Sequence, residues 1–138
     1  MNAPLYTTEI LRLAASLHEP RELEREDGRA ELRSPTCGSR VVTAVQLDPR
    51  GRVAALSQQI HACAFGQASA ALVQRAAIGR SRIEVEQALT DLTDWLAGTA
   101  TEPGWGLAAL APARSRKSRH GAILLPFRAL AAAIEAAE

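Results

Sequence analysis

Residues 41–60 constrain the fold of this chain more than any other stretch. Val41-Val42-Thr43-Ala44-Val45-Gln46-Leu47 and the run from Val53 to Ile60 are β-prone, and Asp48-Pro49-Arg50-Gly51 joins them. Pro presets one backbone angle and Gly permits a positive one, so the junction is a short turn and the two runs form an antiparallel hairpin. Arg21 to Arg33, where acids and bases alternate with Leu23, Ala30 and Leu32, reads as a solvated edge strand. Helical signals lie on both sides. Thr7 or Thr8 caps a helix whose apolar positions Ile10, Leu13, Ala14 and Leu17 repeat at helical spacing and which ends before Pro20. Phe65, Ala68, Leu72 and Ala76 recur along a segment ending at Gly79. Ser81-Arg82-Ile83-Glu84 is a capping box, opening a helix with Val85, Leu89, Leu92 and Leu96 on one face and Gly98 after it. Leu107 to Leu110 reads as a single helical turn, Pro112 to Ser118 as a basic connector, and the last helix begins near His120 with Ile123, Phe127, Leu130 and Ile134 toward the core. The order of helix, three strands and helices predicts one α+β domain over residues 1–138, a three-stranded antiparallel sheet with helices packed on it.

Composition excludes several function classes. With 16 basic and 15 acidic residues the formal net charge is +1, so no whole-molecule field steers the chain toward nucleic acid. Aromatic residues make up only 4%, too few to interleave with a basic patch as single-stranded nucleic-acid binding requires. No apolar run approaches the ~20 residues that span a bilayer, and the opening Met-Asn-Ala-Pro has neither a charged nor an apolar leader region. Two cysteines are too few for a disulfide scaffold. The expectation is a cytoplasmic protein, a monomer or weak dimer, with no nucleic-acid or membrane partner. Phosphate-binding glycine motifs, acid pairs for hydrolysis and a Ser-His-Asp order cannot be assembled from these residues.

The hairpin also brings chemistry together. A turn centred near residue 50 pairs residues whose numbers sum to about 100, and Cys37 with Cys63 meets that condition. The two thiols are expected at the open end of the hairpin. Cys63 stands where the strand hands over to a helix, whose N-terminal partial charge stabilises a thiolate, and His61 would share its face if the strand still ran there. Three readings stay open from the residues alone. Two thiolates with His61 or His120 suit zinc, iron or an iron–sulfur cluster, although four ligands are normal. Cys63 can equally be a small buried residue beside an idle loop thiol at Cys37. The third reading is a thiol nucleophile at Cys63 assisted by His61 or His120.

The segments in order resemble the U-type iron–sulfur cluster assembly scaffolds, the N-terminal domain of NifU-like proteins. Tyr6 and the helix ending in His18-Glu19-Pro20-Arg21 resemble the family's opening helix and Asn-Pro-Arg segment. Ser34-Pro35-Thr36-Cys37-Gly38 resembles the loop of the first ligand cysteine, and His61-Ala62-Cys63-Ala64-Phe65-Gly66-Gln67-Ala68-Ser69 the stretch of the second. Gly79-Arg80-Ser81 is similar to the family's Gly-Lys-Ser helix start, and Arg119-His120-Gly121-Ala122-Ile123-Leu124-Leu125-Pro126-Phe127 to the segment of its third cysteine. The resemblance covers nearly the whole chain. It implies the NifU N-terminal-like fold, also that of SufE-like scaffolds, a non-enzymatic role in iron–sulfur cluster assembly, sulfur acceptance, and binding of iron, zinc or a labile cluster.

Two departures stand out. The family's Asp after Cys-Gly is Ser39 here, and its third cysteine is missing: counting from Arg119 places Ala122 there, counting from His120 places Gly121. His120 could complete a Cys37, Cys63, His120 metal set with one open position. Cys63 is the expected sulfur acceptor, with Gly38, Ser39, His61, Gly121 and Ala122 near the site. Metal or cluster binding is expected to be weak or absent. The basic run carries Arg114, Arg116, Lys117 and Arg119, an expected docking surface for a cysteine desulfurase and acceptor apoproteins, or for a chaperone. Trp95 and Trp105 read as packing residues. The alternatives are a thiol-dependent enzyme using Cys63, or a metal-free interaction protein on the scaffold fold.

Overall fold

A computed structural model of the chain describes residues 6–35 and 38–138. Helix α1, Thr8–Ala15, is capped by Thr7, whose hydroxyl accepts from the Ile10 N–H, and buries Ile10 and Leu13. It ends before Pro20 as expected, at Ala15 with Ser16 as its cap, which leaves Leu17 beyond the helix. Strands β1 (Gly28–Arg33), β2 (Arg40–Leu47) and β3 (Val53–His61) form an antiparallel sheet in the order β1-β2-β3. The hairpin is as expected, but its register differs by one. Paired numbers sum to 101 from Arg40 opposite His61 to Gln46 opposite Ala55, because an irregularity between Gln46 and Leu47 adds a residue beside the turn.

The edge strand is shorter than the charge pattern predicts, starting at Gly28 rather than Arg21. Residues 21–27 are held instead by non-local hydrogen bonds: Arg21 N–H to the Ser57 hydroxyl at 2.9 Å, Arg25 N–H to the Gln46 side chain at 3.3 Å, and Leu47 N–H to the Asp27 carboxylate at 2.7 Å. Ser57 and Gln46 stand on the sheet face opposite Val45 and Leu56, so this segment runs over the face that the helices leave open.

The other face carries the core. Helix α2, Ala64–Ala76, is buried nearly all round, from Phe65 through Val73 apart from Gln67. Helix α3, Arg82–Leu96, begins with the expected capping box, Ser81 and Glu84 each binding the other's backbone N–H. A 3-10 helix, Leu107–Ser115, replaces the expected basic connector, and α4, Lys117–Ala136, starts three residues before His120. The expected core positions of α4, Ile123, Phe127, Leu130 and Ile134, are each 0% exposed. Trp95, 1% exposed, lies in the same core, and Trp105 packs at its margin.

Helix α4 lies across β1 and β2 and also against α2. Two glycines permit this. A Cβ on Gly28 would come within 2.0 Å of the Ala133 carbonyl oxygen, and one on Gly66 within 2.6 Å of the Ala62 Cβ. Both sites therefore need a residue with no side chain. The Ser69 hydroxyl donates to the Ile123 carbonyl at 2.6 Å, pinning α2 to α4 inside the core.

Candidate functional site

At the end of β3 the chain turns into α2, and Cys63 is the cap residue of that helix, with φ −67° and ψ 174°. Its side chain makes no capping hydrogen bond, and the half-buried thiol stands at a helix N-terminus, packed against the margin of the core. A cavity of about 400 Å³ opens there, lined by Gly38, Ser39, His61, Cys63, Gln67 and Arg119. Gly38 has φ +71°, a conformation that suits glycine and bends the loop around the cavity. Ser34 N–H donates to the Ser39 carbonyl at 2.9 Å and closes that loop, and Ser39 is 4% exposed. The Gln67 amide is held by donation to the Ala62 carbonyl at 3.0 Å. His61, last residue of β3, stands opposite Arg40 at the exposed rim.

Thus Cys63, His61, Gly38 and Ser39 line one cavity. Cys37 lies outside the described residues. His120 does not line the cavity; its Nε2 faces the end of the 3-10 helix, 3.0 Å from the Ala113 carbonyl and 3.1 Å from that of Arg114. Both acceptors require a proton on Nε2, which removes that nitrogen as a metal donor in this arrangement. The residue that α4 contributes to the cavity is Arg119, half-buried, making no side-chain hydrogen bond or ion pair among the described residues. Sequence reasoning placed it only on a docking surface. One helical turn later Ala122 is 1% exposed and packs on Gly66, whereas Gly121 is only half-buried. Arg119 and Ala122 share a face of α4 by their spacing, so position 122 is the one directed at the start of α2.

The rest of the basic run divides by role. Arg114 is tied into the fold, its guanidinium 4.9 Å over the Trp95 ring and donating to the carbonyls of Trp95 at 3.0 Å and Thr99 at 2.9 Å. Arg116 and Lys117 are exposed.

As for metals, no group of three His, Cys, Asp or Glu side chains comes together among the described residues. The described part of the cavity supplies one thiol and one imidazole, and it adds a cation, Arg119, which opposes a bound metal ion by its charge.

No protein-family model matches the chain, and no curated protein does. Among solved structures, the N-terminal part of a nitrogen-fixing NifU-like protein from Brucella abortus superposes with a TM-score of 0.86 at 30% identity, covering 95% of this chain and 92% of that one. The chain belongs to the NifU-like N-terminal family. A second structure, described as a candidate iron–sulfur cluster assembly scaffold of the SUF system from Fervidobacterium islandicum AW-1, shares the fold with a TM-score of 0.81 at 18% identity, covering 94% and 96% of the two chains. Of the two positions to which the resemblance leads, Ala122 packs against Gly66 of α2, whereas Gly121 is half-buried. No helix among the described residues is long and apolar enough to cross a membrane.

Proposed function

We propose that this protein is a non-enzymatic scaffold-like component of cytoplasmic iron–sulfur cluster assembly that accepts sulfur on Cys63 from a cysteine desulfurase and passes it to acceptor apoproteins. The observation that supports it most is Cys63 capping α2 with an unengaged side chain in a cavity open to a partner, on a NifU-like fold. In the transfer step the Cys63 thiolate attacks the outer sulfur of the desulfurase persulfide. The S–S bond of the donor breaks, the donor cysteine leaves as a thiolate, and Cys63 becomes a persulfide, so no external oxidant or reductant is consumed. Arg119 lines the same cavity, where its charge would favour the anionic persulfide. Cys37, Cys63 and His120 are the ligand set proposed for iron, zinc or a labile cluster, with binding expected to be weak, since His120 is held by its Nε2 against the end of the 3-10 helix and not in the cavity that Cys63 lines. Arg116, Lys117 and Arg119 form the docking surface for the desulfurase.

Incubation with a cysteine desulfurase and cysteine, followed by mass spectrometry, tests the proposal. A persulfide on Cys63 exceeding that on Cys37, with capture of the desulfurase by the intact chain, is the expected result. Absence of both overturns it, and turnover of a thioester or amide lost in Cys63→Ser would identify a thiol-dependent enzyme instead.

A further inference from the structure

Strand β1 is an edge of the sheet: among the described residues it pairs with β2 and packs under α4, and no third helix or strand covers its outer side. An open edge is a template for another strand, and charged side chains on it normally keep other chains away. On β1 the charges alternate in sign. Arg29, Glu31 and Arg33 are exposed on the face that the helices leave open, whereas Gly28, Ala30 and Leu32 stand on the α4 side. The strand that complements this pattern is its own copy. With Ala30 facing Ala30 in an antiparallel pair of two β1 strands, Arg29 of each copy stands opposite Glu31 of the other, and Arg33 opposite Asp27, the residue just before the strand. A slip that keeps the helices of both copies on one side of the joined sheet moves the pairing by two residues. Slipped one way, Arg29 meets Arg33 and Glu31 meets Glu31; slipped the other way, Arg29 meets Arg29 and Glu31 meets Asp27. Like charges oppose both slips.

Helix α4 supplies a second, independent match. It runs along β1 with Ala133 and Ala137 against Gly28, and with Leu125 and Ala129 in the cluster that Leu32 joins, so Ala30 lies level with the stretch around Ala131 and Ala132. Arg128 and Glu135 flank that stretch, two turns apart on the side of α4 turned away from Ala122 and α2. Both are exposed, and neither side chain makes a hydrogen bond or ion pair among the described residues. A two-fold axis at Ala30 therefore turns Arg128 of one copy toward Glu135 of the other, across alanines small enough for close helix approach. Because α4 rests on β1 and β2, two β1 edges joined at the ordinary strand spacing bring the two α4 helices to about 10 Å, a normal packing distance.

We infer that two copies of this chain associate through β1, edge to edge and antiparallel with Ala30 on the two-fold axis, joining two three-stranded sheets into one with the α4 helices side by side. Main-chain hydrogen bonds between the strands supply the attraction, and the charges select the register and the partner. Arg29 now bonds Glu26 at 2.9 Å and Glu31 bonds Arg40 at 3.1 Å, exposed pairs that are worth little and are readily shared with a second copy. The association is independent of the chemistry at Cys63.

Sedimentation equilibrium of the full chain over a concentration series tests this through charge reversal. The unmutated chain is expected to dimerise. Arg29→Glu brings acids face to face across the two strands and Glu31→Arg brings bases face to face, and each alone should weaken the dimer by at least about tenfold. Mixed in equal amounts, the two variants offer each other opposite charges and should form a heterodimer at about the original affinity, a rescue that loss of a merely structural role would not show. A chain that stays monomeric up to about 1 mM overturns the inference, as does a dimer indifferent to both reversals or a mixture that fails to reassociate. Should either variant fail to fold, Arg128→Glu and Glu135→Arg, made and mixed in the same way, decide it.

Discussion

Gly66 and Ala122 meet where α2 crosses α4, so closely that a Cβ on Gly66 would lie 3.2 Å from the Ala122 carbonyl oxygen and 3.5 Å from its methyl. Pro126, four residues on, has no N–H to return to that carbonyl, so the crossing is made at a point where α4 lacks one ladder bond. The same contact sets the distance between the start of α4 and Cys63. Gly66→Val is expected to destabilise the protein by about 1–3 kcal/mol through overpacking, despite a better helix former at that position. Gly28→Ala should cost at least as much, since its Cβ would overlap the Ala133 carbonyl oxygen of the backbone. Urea denaturation of each variant measures both.

A thiol restored at the crossing should change the metal chemistry. Ala122→Cys places sulfur on the face of α4 that carries Arg119 and meets α2, whereas Gly121→Cys places it about 100° around the helix. Zinc affinity, read by competition with a chromogenic chelator, is expected to rise by at least about tenfold in Ala122→Cys, the scale on which even outer-shell partners act, and to stay unchanged in Gly121→Cys.

The basic run should separate into structural and interaction residues. Arg114→Ala removes two bonds to backbone carbonyls and the stacking on Trp95, and is expected to lower stability by about 1–3 kcal/mol. Arg116→Ala and Lys117→Ala, at exposed positions, should stay within about 0.5 kcal/mol of the unmutated protein. The exposed pair should instead weaken desulfurase binding, more at low salt than at high.

Stability should fall on acidification. Hydrogen bonds from Arg25 and then from the Leu47 backbone hold the Asp27 carboxyl below its usual value. The Ser81 backbone does the same for Glu84 in the capping box, and Arg40 for Glu31. A carboxylate with a depressed folded-state value stabilises the fold fully above its unfolded value and loses that contribution as pH falls through the folded one. Melting temperature should therefore be level from about pH 5 to 7 and decline below about pH 4, the ordinary carboxylate range. Asp27→Asn should flatten part of that decline, and thermal scans at several pH values read it.

What was legible in the sequence is what local chemistry decides. The hairpin limits follow from β-prone runs around Asp48-Pro49-Arg50-Gly51, the α3 start from Ser81 and Glu84, the α1 start from Thr7, and the buried face of α4 from the spacing of Ile123, Phe127, Leu130 and Ile134. Each of these depends on residues within a turn or two of one another, so sequence alone determined them, and the family resemblance added the fold around them. Tertiary structure decided the rest. The path of residues 21–27 depends on bonds to Ser57 and Gln46, distant in sequence, which no local pattern encodes. One residue turns a helix face by about 100°, so whether Arg119 or His120 lines the Cys63 cavity was set by how α4 seats on α2 at Gly66. Strand alternation puts Thr43 on the same face as Val41 and Val45, but only the pairing of β2 with β3 brings Gln58 opposite it and leaves two polar residues facing each other inside the sheet.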